Sequence, residues 1–184
     1  MAWSTRGLRG STLEELVNRT NEKYRDLGLC LVQKIPTPIT PIKIDQEKRH
    51  ITLAYFEQKS TVDYIGVIQG FPVCFDAKEC DTKTFPLQNI HKHQIDFMTA
   101  FEKQNGISFI LIYFTSDDTF YYMRYEELMK FWNRKEEGGR KSFRRDELTP
   151  EFFFKQKDIV FVPYLEWFQK DLDLRDWQRI NNTI

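Results

Sequence analysis

Apolar side chains recur along the chain with two different periods, and each period predicts its own kind of element. A helical period follows Ser11, which stands three residues before Glu14 in the spacing of a capping box, and Gly28 ends this first helix. The same period predicts further helices at 88–104, 125–134 and 164–180. The apolar positions of the first helix are Leu13, Leu16, Val17, Tyr24 and Leu27.

Short apolar runs bounded by turn residues predict strands between these helices. Gln69-Gly70 is typical of a tight hairpin turn, and it joins the strands predicted at 60–68 and 71–79. Three more strands are predicted at 29–35, 108–114 and 119–124. This order of elements predicts an α/β fold in which helices cover the faces of a mixed sheet.

Three prolines, Pro36, Pro38 and Pro41, follow the first predicted strand. A central strand would lose hydrogen-bond donors at these positions. The segment from about 36 to 56 is therefore predicted to leave the core. It forms either a protruding two-stranded stalk or a long surface loop, and the pattern alone leaves both open.

The composition favours one domain over residues 1–184, because 41% of the residues are hydrophobic and 15% are aromatic. No apolar run approaches the roughly 20 residues that a membrane span needs, and the first ten residues lack an apolar signal core. Cys30, Cys74 and Cys80 are an odd number without a pattern, which is typical of reduced thiols. We therefore expect a cytoplasmic protein with no membrane contact and no disulfide.

The charges cancel over the whole chain but cluster locally. The 27 Lys and Arg residues balance 27 Asp and Glu residues, so the net charge is zero. The segment 130–145, however, carries seven basic and two acidic residues around Gly138-Gly139. This segment is either a solvated charged loop or a surface that binds phosphates.

The hairpin predicted around Gln69-Gly70 brings two aspartates together. Opposed residues in a two-residue hairpin have numbers that sum to 139 here, so Asp63 faces Asp76 and Thr61 faces Lys78. Strand alternation assigns Val73, Phe75 and Ala77 to the core face, and Cys74, Asp76 and Lys78 to the other face.

Two opposed carboxylates repel each other unless a neighbouring positive charge stabilises both ionised forms. A hard divalent cation such as Mg2+ would do so, and Lys78 would then stabilise negative charge that develops on a phosphate. These parts describe metal-assisted hydrolysis of a phosphodiester. The competing interpretation is a surface hairpin in which Asp76 and Lys78 form an ordinary ion pair.

Gln94 lies between Ile90 and Phe97 on the apolar stripe of its predicted helix, where an amide needs a partner. It is either a metal ligand or a buried amide satisfied by the backbone. His91 and His93 are two residues apart and cannot share one helical face, which disfavours zinc. The chain has no phosphate-binding glycine loop, hydrolase elbow or kinase signature.

Asp63, Asp76-Ala77-Lys78 and the first-helix Glu14 together resemble the PD-(D/E)XK nuclease signature in its Holliday-junction-resolvase form. From about residue 10 to about 148 the chain resembles the RecU family of Gram-positive bacteria and their phages. The stretches that carry this resemblance are KIPTPI (34–39), STVDYIGV (60–67), FDAKE (75–79), FPLQNIHKHQ (85–94) and FWNRKEEGGRKSFRRDEL (131–148).

The resemblance implies a restriction-endonuclease-like fold with residues 36–56 as a protruding stalk and residues 1–10 as a short N-terminal arm. It implies homodimers that cut two opposed strands of a four-way DNA junction during homologous recombination and DNA repair, with the recombinase and the branch-migration motor as partners. It also implies a Mg2+ site, in which Mn2+ can substitute, formed by Thr61, Asp63, Asp76 and Gln94, with Lys78 as transition-state stabiliser and Glu14 as a further catalytic acid. Contacts to DNA phosphates are expected from Arg9, Lys43, Lys48, Arg140, Lys141, Arg144 and Arg145.

The chain departs from the family at two places. Asp76 stands where the family usually has Glu, and the N-terminal arm is shorter than the basic arm of many members. One alternative function is therefore a junction-binding protein that modulates the recombinase or branch migration without cutting. Another is a nuclease that acts on linear duplex or flap DNA.

Overall fold

The computed structural model describes residues 12–56, 61–157 and 160–182, and these ranges contain four α-helices and ten strands. The helices are α1 (Thr12–Asp26), α2 (Lys92–Lys103), α3 (Tyr125–Glu136) and α4 (Leu165–Asn182). The strands are β1 (Cys30–Lys34), β2 (Ile39–Asp45), β3 (His50–Phe56), β4 (Tyr64–Ile68), β5 (Phe71–Cys80), β6 (Thr84–Pro86), β7 (Ile107–Phe114), β8 (Thr119–Arg124), β9 (Ser142–Arg144) and β10 (Phe153–Phe154).

Six of these strands form one mixed sheet in the order β1-β4-β5-β7-β8-β10. Neighbours in this sheet are antiparallel, except for the parallel pair of β5 and β7. A parallel pair needs a crossover connection, and here the crossover contains α2. The structure thus confirms the predicted α/β class, with a central mixed sheet flanked by helices.

Four aromatic rings stack across the middle of this sheet. The ring centroids of Tyr64 and Phe75 lie 4.7 Å apart, those of Phe75 and Phe109 4.6 Å, and those of Phe109 and Tyr122 4.4 Å. Tyr164, which precedes α4, packs on Phe75 at 5.5 Å. Each such pair contributes roughly 1 kcal/mol beyond the area it buries, so the stack holds β4, β5, β7 and β8 in fixed positions.

Strand β5 is buried on both faces, which corrects the prediction that only Val73, Phe75 and Ala77 face the core. Cys74 and Asp76 are both fully buried. On their face, the Cys74 thiol lies 3.3 Å from the Ser108 hydroxyl, and that hydroxyl donates a hydrogen bond to the Met98 carbonyl of α2. The reason is the parallel pairing with β7, because sheets of parallel strands are covered by helices on both sides.

Strands β2 and β3 form a two-stranded antiparallel sheet of their own, which shares no pairing with the six-stranded sheet. Its register shifts after Pro41, where the backbone lacks a donor. Large apolar side chains of this hairpin are exposed: Ile39, Ile42, Ile44, Ile51, Leu53 and Tyr55. Within the segment predicted at about 36–56, residues 39–56 therefore form a two-stranded hairpin and not an irregular loop.

Other element bounds differ from those predicted. Helix α2 begins at Lys92 and not at Gln88, because Leu87–Asn89 form a separate one-turn 3-10 helix. Strand β4 begins at Tyr64, later than the predicted 60, and residues 57–60 lie outside the described ranges. The short strands β6, β9 and β10 were not predicted, since two or three residues are too few to show an alternating pattern.

In the described part of the chain, no helix is long and apolar enough to cross a membrane. Cys30, Cys74 and Cys80 are buried free thiols.

We predict that Gly66→Ala destabilises the fold strongly. A Cβ at Gly66 would lie 2.1 Å from the Leu31 carbonyl oxygen and 2.6 Å from the Val32 Cα, so strand β1 would have to move away from β4. We expect the free energy of unfolding, measured in urea, to fall by about 3 kcal/mol or more. The comparison is Gly70→Ala, where a Cβ meets nothing within 4 Å and only the positive φ of 91° opposes it. A cost of about 1 kcal/mol is expected there, and equal losses in the two variants would contradict the steric argument.

Candidate metal centre

The hairpin of β4 and β5 has the predicted register. Tyr64 pairs with Phe75 and Ile68 with Phe71, so paired residue numbers sum to 139. Asp63 directly precedes β4, and its backbone N–H donates to Asp76 Oδ1 at 2.8 Å. The N–H of Ala77, the residue after Asp76, donates to Asp63 Oδ2 at 3.0 Å. Each carboxylate thus accepts a hydrogen bond from the backbone beside the other carboxylate, and the two headgroups are fixed next to each other.

Asp76 is fully buried, and its second carboxylate oxygen, Oδ2, accepts no hydrogen bond. The nearest positive charge is Lys78 Nζ, which lies 3.3 Å from Asp76 Oδ2 and 3.7 Å from Asp63 Oδ2. Burial raises the pKa of Asp76 to about 7. The charge of Asp63 adds to this effect, and Lys78 opposes it only in part. The single positive charge of Lys78 therefore does not balance the two carboxylates.

These observations fit a divalent cation. A buried carboxylate oxygen without a hydrogen bond is a free ligand position, and a cation would favour the ionised form of both aspartates. In the described ranges no group of three or more His, Cys, Asp or Glu side chains could hold a metal ion.

Gln94 is buried, as its position on the apolar stripe predicts. Its side-chain oxygen accepts the backbone N–H of His91 at 2.9 Å, and this hydrogen bond is half of a capping box at the start of α2. The structure thus contains the backbone hydrogen bond that one of the two interpretations of Gln94 requires. An amide oxygen has a second lone pair, so the contact leaves the predicted ligand role possible. Thr61 is exposed two residues before Asp63.

Glu14 lies in the first turn of α1, and its carboxylate forms an ion pair of 2.7 Å with Lys34 at the end of β1. The hydroxyl of Tyr64 lies 3.2 Å from the Glu14 carbonyl oxygen and 3.0 Å from Asn18 Oδ1, so it packs against α1. Burial raises the pKa of Tyr64, and the charges of Glu14 and Asp63 raise it further. The first turn of α1, which carries Glu14, therefore contacts the residue that follows Asp63, while the Glu14 carboxylate itself is paired with Lys34.

The predicted DNA-binding residues fall into two groups. Lys43 and Lys48 on the β2–β3 hairpin and Lys141 before β9 are exposed. Arg140, Arg144 and Arg145 instead form ion pairs with Glu147, Asp146 and Asp117. The segment 130–145 is accordingly only in part a loop, because α3 extends to Glu136 and β9 begins at Ser142. Arg9 lies outside the described residues.

Two further residues were not singled out from the sequence. Lys83 lines an open cavity of about 690 Å³ together with Arg144, Arg145 and Phe153. Glu79 follows Lys78 on β5, and its carboxylate accepts a backbone N–H at the start of α1. The only signal for either residue was its position shortly after Lys78 in the sequence. Such a position does not indicate a contact with a distant segment.

Comparison with known proteins gives one family and several relatives. The family model described as "RecU: Recombination protein U" matches residues 8–170. A Bacillus cereus (strain B4264) protein named Holliday junction resolvase RecU is 44% identical over 144 residues, which are 76% of this chain and 72% of that protein. A Bacillus thuringiensis (strain Al Hakam) protein of the same name is 44% identical over 145 residues, 77% of this chain and 72% of that protein. Among solved structures, Archaeoglobus fulgidus Hjc, a Holliday junction resolvase, matches with a TM-score of 0.35 and 6% identity over 63% of this chain and 75% of its own.

We predict that the metal-free protein becomes less stable as the pH rises from 5 to 8, and that Asp76→Asn removes part of this dependence. The folded state holds the Asp76 proton up to about pH 7, whereas the unfolded chain releases it near the ordinary value of 3.8. Between these values the folded state binds more protons, so the free energy of unfolding falls as the pH rises. Urea unfolding in EDTA at pH 5 and pH 8 measures the change. Identical pH dependence in the native chain and in Asp76→Asn would show that Asp76 titrates normally.

Proposed function

This chain belongs to the RecU family, and from that membership and the geometry of its aspartate pair we propose that it is a Mg2+-dependent endonuclease that resolves Holliday junctions. It would do so by symmetric phosphodiester hydrolysis during homologous recombination and DNA repair. The observation that carries the chemistry is the pair of hydrogen-bonded carboxylates, Asp63 and Asp76, with the Lys78 ammonium within 4 Å of both.

The proposed catalytic roles combine the contacts of Asp63, Asp76 and Lys78 with what family membership implies for the other side chains. Asp63 and Asp76 would hold the cation, with the oxygens of Thr61 and Gln94 as further ligands. When bound, Mg2+ lowers the pKa of a water and stabilises the charge of the reacting phosphate. Lys78 is about 18% exposed, so its ammonium can reach a phosphate oxygen while it remains near both aspartates. Glu14, from the first turn of α1, would act as a further acid, a role that rests on family membership.

Lys78 has a second role before the substrate binds. Its ammonium is the positive charge nearest to Asp76 Oδ2, and it partly offsets the burial of that carboxylate. Since a lysine keeps its charge on a flexible stem, Lys78 can turn from the aspartates toward a phosphate. The same side chain would therefore first offset the charge of the aspartates and then stabilise the transition state.

Contacts to the DNA backbone are proposed at the exposed lysines Lys43, Lys48 and Lys141. Arg140, Arg144 and Arg145 would have to exchange an acidic partner for a phosphate, which reduces their net contribution to binding. Arg9 is proposed as a further contact from the N-terminal arm of about ten residues.

The remaining parts of the proposal rest on family membership. They are one nuclease domain over residues 1–184 with its stalk at about 36–56, a homodimer that nicks opposed strands, and contacts with the recombinase and the branch-migration motor. Cleavage at symmetric positions suits a twofold dimer, because each protomer presents the same site to one strand. The proposed location is the cytoplasm, and Mn2+ is proposed to replace Mg2+.

We predict that Asp63→Asn lowers the rate of paired nicking of a labelled synthetic four-way junction in Mg2+ and preserves junction binding. Loss of one carboxylate weakens the hold on the cation, and a loss of roughly 3 kcal/mol of transition-state stabilisation lowers the rate about a hundredfold. The matched control is Asp96→Asn, since Asp96 is exposed on α2 and pairs only with Lys92 among the described ion pairs. A native chain that binds the junction without cutting it, in Mg2+ or in Mn2+, would support the non-cleaving modulator instead. Preferential cutting of linear duplex or flap DNA would show that such DNA, and not the junction, is the substrate.

We predict that the double change Lys43→Ala/Lys48→Ala weakens junction binding and lowers its salt dependence. Each lost phosphate contact reduces the slope of log Kd against log salt by about one, so the double variant should lose about two. Fluorescence anisotropy of a labelled junction between 50 and 200 mM salt gives this slope. Lys92→Ala is the control, because Lys92 is an exposed lysine outside the hairpin. An unchanged slope in the double variant would show that the hairpin lysines do not contact DNA.

A further inference from the structure

The acid next to Lys78 in the sequence does not join the aspartate pair. Side chains alternate along β5, so Glu79 faces the opposite side of the sheet from Lys78. Its carboxylate oxygen Oε1 accepts the backbone N–H of Leu13 at 2.6 Å. Glu79 therefore contacts the first turn of α1, across 66 positions of sequence.

This contact supplies what the start of a helix lacks. The first N–H groups of an α-helix have no partner within the helix, and a negative charge is favoured at that end. Leu13 is fully buried, so its N–H needs a partner from the protein. The Glu79 carboxylate meets both needs and ties the first turn of α1 to β5.

A second contact ties the same turn to β4. The Tyr64 hydroxyl lies 3.2 Å from the Glu14 carbonyl oxygen and 3.0 Å from Asn18 Oδ1, both on α1, and its own position is set by stacking on Phe75. Tyr64 directly follows Asp63, and Phe75 directly precedes Asp76. The turn that carries Glu14 is thus attached to the two strands that carry the aspartates.

We propose that Glu79 is a positioning residue for the cleavage reaction, an inference that rests on the proposed function. Glu79 holds the first turn of α1, and with it Glu14, against β5, the strand that carries Asp76 and Lys78. Its own carboxylate is engaged by the Leu13 N–H and does not serve as a ligand of the cation. The sequence Asp76-Ala77-Lys78-Glu79 therefore combines catalysis and positioning in one strand, on its two opposite faces.

The test measures junction cleavage under single-turnover conditions for Glu79→Ala, Glu79→Gln, Glu14→Ala and the double variant Glu14→Ala/Glu79→Ala. We expect Glu79→Ala to lower the cleavage rate about 10- to 100-fold through misplacement of Glu14. Junction Kd and Mn2+ affinity, the latter read by electron paramagnetic resonance, should change less than twofold. Glu79→Gln keeps an oxygen that can accept the Leu13 N–H, and it should recover most of the rate. The double variant should be no slower than Glu14→Ala, because Glu79 acts through Glu14.

The control for a general loss of stability is Glu102→Ala, since Glu102 also accepts a backbone N–H at 2.6 Å, that of Ser108, far from α1 in sequence. It should lower the melting temperature and leave the rate of the folded protein unchanged.

The inference is overturned if Glu79→Ala cuts like the native chain, if it loses Mn2+ affinity, or if it slows Glu14→Ala further. Amide hydrogen exchange at Leu13 is independent of cleavage: faster exchange in Glu79→Ala than in Glu79→Gln supports the anchoring contact, and equal exchange excludes it. A native chain that cuts no junction contradicts the proposed function, and the Leu13 amide then decides the contact by itself.

Discussion

The arrangement of the candidate site depends on two reciprocal hydrogen bonds at the open end of the β4–β5 hairpin. The Asp63 N–H donates to Asp76, and the Ala77 N–H donates to Asp63. Both carboxylates are therefore part of the backbone connection between the strands, in addition to any role in chemistry. Hydrogen bonds to ionised groups are stronger than those between neutral groups, so the Asp63 N–H favours the ionised form of Asp76, whereas burial of that carboxylate raises its pKa. The same contacts that hold the strands together thus keep two negative charges close to each other.

Burial of Asp76 in the sheet destabilises the fold. Asp76 lies inside a sheet that is covered on both faces, and its Oδ2 accepts no hydrogen bond. A buried polar atom without a hydrogen bond costs roughly 1–3 kcal/mol. The ion pair with Lys78 compensates only part of the buried charge, in agreement with the raised pKa of Asp76. The surrounding structure supplies the compensation through the aromatic stack from Tyr64 to Tyr122, which fixes the same strands. A rigid scaffold with an unsatisfied charge at its centre is what a preorganised cation site requires.

The sequence predicted those parts of the site that depend on local rules. The Gln69-Gly70 turn determines the register of the hairpin, and the register places Asp63 beside Asp76 without any knowledge of the rest of the fold. Contacts between distant segments could not be derived in this way. Glu79 and Leu13 are 66 positions apart, and no periodicity connects them. The burial of Cys74 and Asp76 was also missed, because a strand pattern does not reveal that the next strand in the sheet is parallel and brings a helix over the second face.

The basic segment 130–145 shows why a local excess of charge is a weak guide to the surface that binds DNA. Arg134 donates to Glu147 and to the Ser142 carbonyl oxygen, and Arg140 also pairs with Glu147, so these guanidinium groups connect α3 to β9. Arg145 stacks on Phe114 and Phe153 and pairs with Asp117. These arginines are parts of the fold, since each would give up a contact with an acid or a carbonyl oxygen if it turned to a phosphate. Among the described residues the lysines of the β2–β3 hairpin form no salt bridge, so they can bind phosphates at less cost. A chain with a net charge of zero can therefore still present positive charge to DNA, provided that its acids are paired with arginines elsewhere.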